Sequence, residues 1–199
     1  MHAPSIRTRR IVSRSGGPVA VLLAGLLVWQ GSNAAFTAET HNAGNNWETG
    51  SVLLTDDDGG AAMFAASNLT PGNTGVKCIE VTATSNVAGV IRTYVQSLTA
   101  GGLQNNIMIT IERGAPGTFA DCTGFTAAAT ETVQPLSTMR TAHGTWGTAV
   151  LPWVKGTGAE SKTYKFTWVF DVGALSEPEI NALQGTAVGA NFEWELQNS

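Results

Sequence analysis

The residues able to do chemistry are few, and their spacing limits what they can do. Two histidines, His41 and His143, fall outside an expected leader over residues 1–34, and they stand 102 positions apart. No HExxH occurs, the helical pair that sets two His ligands on one face beside a Glu base. No Gly-x-Ser-x-Gly elbow occurs either, and two distant histidines make no Ser/His/Asp set. Asp56-Asp57-Asp58-Gly59 invites a calcium reading, but an EF-type loop needs acids at alternate positions and a closing Glu at the twelfth, where this chain has Ser67. An acidic turn between two strands is the expectation there, with a weak surface calcium site as the alternative. Glu193 and Glu195 lie two apart on one strand face, opposite Phe192 and Trp194, and are expected to be solvated rather than a glycosidase pair. Glycine-rich stretches lack a phosphate-loop lysine. The residues therefore point to no enzyme, no cofactor and no metal.

Two chemistries remain. Cys78 and Cys122 are the only cysteines, and an even count in an exported chain reads as one disulfide. It would close a loop of about 44 residues, worth roughly 3–4 kcal/mol in the chain-entropy description. A metal site is the alternative, but no CxxC and no local His spacing support it. The second chemistry is aromatic. Of six tryptophans, Trp168 and Trp194 sit on inward faces of alternating strands and read as core. Trp47, Trp146 and Trp153 fall in expected loops or strand edges and are the candidate ligand-facing aromatics.

The elements that would position these residues begin with an address. Arg7, Arg9, Arg10 and Arg14 precede an apolar run from Pro18 to Trp29, too short for the roughly 20 residues of a membrane span. A basic head, a short apolar run and then small residues make a secretory signal peptide. Ser32 and Ala34 fit the −3 and −1 positions, so cleavage is expected between Ala34 and Ala35, or one residue later; an uncleaved anchor is the alternative. Cleavage removes four of the eleven basic residues and no acid, which takes the net charge from −4 to −8. With no basic patch, nucleic acid is excluded as a partner, and no stable membrane anchor is expected after cleavage.

Beyond the leader, period two dominates. Tyr164, Phe166, Trp168, Phe170 and Val172 alternate with Lys165, Thr167, Val169 and Asp171. Ala190, Phe192, Trp194 and Leu196 form a second such face, and Ile107, Ile109 and Ile111 a third. Ser51–Thr55, Ala62–Ala66, Val76–Thr84 and Val90–Leu98 are further expected strands, with a type II turn at Pro71-Gly72. Ser176 to Gly185 reads as a short capped helix, Pro135–His143 as a helical turn, and Gly144–Ala159 as a long ordered loop. The expected fold is an all-β antiparallel β-sandwich or jelly roll with one or two short helices. Its divisions are 1–34 signal peptide, 35–50 extended segment and 51–199 a single domain.

Several segments in order resemble the TasA/camelysin family of bacterial secreted proteins. They are Ala34-Ala35-Phe36 after the signal run, Asn46-Trp47-Glu48-Thr49-Gly50-Ser51-Val52-Leu53-Leu54, Ser67-Asn68-Leu69-Thr70-Pro71-Gly72-Asn73, Cys78-Ile79-Glu80-Val81, and the closing Phe192-Glu193-Trp194-Glu195. The likeness covers about 30–100 and 160–197. The middle, 101–160, does not align, and the two cysteines are not part of the fibre-forming members' pattern. The resemblance implies a jelly roll exported through a dedicated signal peptidase, at the cell surface or in a biofilm matrix. It also implies self-association into fibres, in which the mature N-terminus of one subunit adds a strand to the next. Phe36 and Ala38 would then point into the neighbour's groove as the donor strand. Camelysin-type members are described as metallopeptidases, for which these residues offer no site. A surface or carbohydrate-binding module built on the loop tryptophans is the competing reading.

Overall fold

The computed structural model describes residues 51–66, 68–99 and 101–198. Eight strands make two antiparallel sheets. They are β1 (Val52–Asp56), β2 (Thr74–Ser85), β3 (Gly89–Thr99), β4 (Ile107–Ala115), β5 (Thr126–Pro135), β6 (Val150–Lys155), β7 (Gly158–Phe170) and β8 (Gly189–Asn198). One sheet has the order β1-β2-β7-β4-β5 and the other β6-β3-β8. Every pairing is antiparallel. Among the described residues two short helices, α1 (Leu136–Ala142) and α2 (Glu177–Ala182), complete the expected all-β sandwich.

The interior follows from the alternation. Tyr164, Phe166, Trp168 and Phe170 on β7 are buried, and they meet Phe192 and Trp194 of β8 across the gap between the sheets. The rings pack edge to face, with Phe166–Phe192 centroids 4.8 Å apart and Tyr164–Trp194 centroids 5.5 Å apart. Ile107, Ile109 and Ile111 extend this core along β4. Gly75 lies opposite Trp168 in the ladder, and a side chain there would run into the indole ring. The missing Cβ lets Trp168 lie across β2.

The turns obey their chemistry. Gly72 takes φ +84°, and the Asn73 amide donates to the Thr70 carbonyl at 3.0 Å, closing the turn around Pro71-Gly72. Ser176 caps α2 in a reciprocal box with Glu179, whose carboxyl is held below its usual range by hydrogen bonds from Ser176.

Three segments fold otherwise than their sequence pattern suggests. Ala62–Ala66 is not a strand: Met63 and Phe64 instead pack against the core from an irregular segment, Phe64 edge-on to Trp168 at 6.2 Å. Gly144–Ala159 is not a loop: it holds a short turn at Trp146–Thr148, all of β6 and the start of β7. Pro152 disguised β6, yet an edge strand tolerates proline because its missing N–H faces no partner. Strand β5, with three consecutive alanines, had no alternating signal and went unread.

Candidate functional site

The sandwich has two sides where a sheet ends above another sheet's end. On one of them β1 and β8 are the terminal strands. Two nested Greek keys would place the first strand beside the last, giving four strands in each sheet. Here β1 lies beside β2 instead, Val52 opposite Ser85 and Asp56 opposite Val81. Among the described residues β8 therefore pairs with β3 alone, and its other edge is open.

Between these two edges runs a groove of about 1510 Å³, lined in its apolar part by Leu54, Met63, Phe64, Trp168, Phe192 and Trp194. Its mouth is flanked by α2 through Ile180 and Leu183. Phe192 and Trp194 point inward yet are only half-buried, because no strand covers them on this side. Among the described residues the buried indole nitrogens of Trp168 and Trp194 have no hydrogen-bond partner. Asp56 sits on the rim, where burial, and then its neighbour Asp58, push its carboxyl above the usual range.

Cys78 and Cys122 are joined, with Cα atoms 5.5 Å apart. The bond anchors the segment between β4 and β5 to the middle strands of the larger sheet. Thr163 adds a hydrogen bond from its hydroxyl to the Gly117 carbonyl at 2.8 Å. Asp57 ties the same segment to the sheet edge: one carboxylate oxygen accepts from the Glu80 amide at 2.7 Å, the other from the Phe119 amide at 2.6 Å. The acidic run thus serves backbone amides, Asp58 accepting from Gly60 at 2.6 Å. Among the described residues no three His, Cys, Asp or Glu side chains converge. His143 is engaged by the Thr148 carbonyl at 2.7 Å and lies 3.6 Å from Glu131.

The aromatic candidates separate. Trp153 is a correction: it is 2% exposed and faces Ala83 and Ile91 in a second small core, its indole N–H donating to Glu160 at 3.3 Å. Period two on β6 turns Trp153 and Lys155 inward and Pro152 and Val154 outward. Lys155 is fully buried, its ammonium donating to the carbonyls of Gly156 at 2.7 Å and Gly158 at 2.6 Å. Trp146 is half-buried, with the Arg92 guanidinium 5.1 Å above its ring. Glu193 and Glu195 are half-buried rather than freely solvated, and Glu195 accepts from Tyr94 at 2.9 Å. Sequence reasoning missed Arg92 and Tyr94, although their outward parity on β3 was readable. The Ala34–Ala35 junction, Phe36, Ala38, His41 and Trp47 lie outside the described residues.

The formed disulfide is compatible with an exported protein. Among the described residues no helix is long and apolar enough to cross a membrane. Compared with models of protein families and with curated proteins, the chain matches none.

Proposed function

We propose that this is a secreted structural protein of the cell surface or extracellular matrix, one that assembles into fibres by strand addition. The observation that carries the reading is the open β8 edge above an apolar, aromatic groove. Unpaired edges template pairing with another chain, and the groove supplies places for alternate side chains. The resemblance to the TasA/camelysin family supports the same reading and names the donor, the segment from Ala35 to Thr40 that follows the expected cleavage site. Six extended residues reach roughly 20 Å, enough to pair with the middle of the ten-residue β8.

Strand direction allows a second copy as the source. The Ser51 amide donates to the Asn86 side chain at 2.8 Å, and the Asn86 amide donates to the Ser51 carbonyl at 3.3 Å. Gly89 pairs with Asn198. The start of β1, the β2–β3 turn and the end of β8 therefore share one end of the sandwich. A strand antiparallel to β8 must leave that end. A strand supplied by another copy can enter at that end and run along β8.

The test is electron microscopy and sizing of the mature protein with and without residues 35–42. Fibres or oligomers from the mature protein, lost on truncation, are expected. If both forms stay monomeric at high concentration, the reading fails.

A further inference from the structure

The outer face of the three-stranded sheet carries a second arrangement, independent of the groove and of assembly. Arg92 and Tyr94 project outward from β3, with Glu195 and Glu193 opposite them on β8. The turn at Trp146–Thr148 folds over the same strand and brings the Trp146 ring under Arg92. The ladder between β3 and β6 bulges between Ile91 and Thr93, so that Leu151 and Pro152 of β6 together oppose Arg92.

Each group is held by another. Arg92 donates to the Trp146 carbonyl at 3.4 Å, while its buried Nε has no partner among the described residues. Tyr94 donates to Glu195 at 2.9 Å, and Gln197 donates to the other oxygen of the same carboxylate at 2.8 Å. Arg92 and Glu195 face each other in register, yet neither of the two ion pairs among the described residues joins them. The guanidinium therefore keeps donor capacity, and the carboxylate is fixed in place by two donors rather than by the cation. Burial, and then the bond to Glu195, push the Tyr94 phenol above its usual range, so it stays a neutral donor and acceptor.

We propose that this face binds a neutral polysaccharide of hexopyranose units. A pyranose offers an apolar C–H face to a flat aromatic ring and pairs of adjacent hydroxyls at its rim. Tyr94 supplies an outward aromatic ring beside the Arg92–Trp146 stack, while Arg92, Glu195 and Glu193 supply planar donors and acceptors that take hydroxyls two at a time. Two carboxylates beside one guanidinium, on a chain that is acidic overall, oppose an anionic glycan. The arrangement sits on strands and is ordered by its own hydrogen bonds, which lowers the ordering cost of binding.

The experiment is a printed array of soluble polysaccharides, including neutral glucans, mannans and N-acetylglucosamine polymers and a set of anionic glycans. The mature protein is probed beside Trp146→Ala, Tyr94→Ala and the isosteric Glu195→Gln, with melting temperature as the check on folding. Retention on one or more neutral polymers is expected, reduced tenfold or more in Glu195→Gln and in at least one aromatic variant. No retention on any neutral polymer, retention on anionic glycans only, or retention undiminished in every folded variant overturns the proposal.

Discussion

Asp56 and Asp57 are adjacent residues at the end of β1 and act in opposite senses. Asp57 accepts two backbone amides and joins the sheet edge to the segment before the disulfide. Asp56 is turned toward the groove, where burial raises its carboxyl above the ordinary 3.8. A raised carboxyl binds its proton more tightly in the folded state, so charge at Asp56 is a cost to folding at neutral pH that vanishes as acid protonates it. Asp56→Asn should therefore raise the melting temperature at pH 7, and the gain over the parent should shrink as the pH falls toward 4. Equal melting temperatures at pH 7 would show that the rim is better solvated than its geometry implies. Trp153 gives the second residue-scale prediction. Its sequence neighbours suggest a loop or strand edge with the ring facing a ligand; the fold places it in a small core with Ala83 and Ile91. Trp153→Ala should cost about 3–5 kcal/mol in denaturant unfolding, as for other buried aromatic truncations. A ligand-facing tryptophan would cost far less.

At the scale of elements, what was legible is what alternates. The aromatic period-two run announced β7, and the turn at Pro71-Gly72 announced where β2 begins. Ser176, Pro178 and Glu179 announced α2 by their order alone. Strands β5 and β6 were not legible, for different reasons. Alanine carries no side-chain preference strong enough to mark a face, and β5 is exposed along most of its length. Proline masks β6, whose identity comes from partners on β3 that are remote in sequence. The cysteines were legible as a pair because only two exist. Their element-scale consequence is that the segment 116–125 is stapled to β2 of the larger sheet. Cys122→Ser should lower stability by roughly 3–4 kcal/mol and open that segment to proteolysis. An unchanged denaturation midpoint would mean that Asp57 and Thr163 hold the segment unaided.

For the whole molecule, the groove exists because β1 covers part of β2 rather than the edge of β8. No local pattern states this, since Val52–Asp56 reads as a strand whichever sheet it joins. The half-burial of Phe192 and Trp194 follows from that placement and from nothing in their own sequence. The Arg92–Trp146 contact likewise joins residues 54 positions apart in sequence. The central claim is that the open edge of β8 accepts a strand from another copy. Amide hydrogen exchange along Ala190–Leu196 tests it most directly, in the mature protein and in the protein lacking residues 35–42. The account predicts slow exchange at alternate β8 amides in the mature, assembled protein and fast exchange at the same amides after truncation. Identical exchange in both, under conditions where the mature protein has assembled, would contradict it.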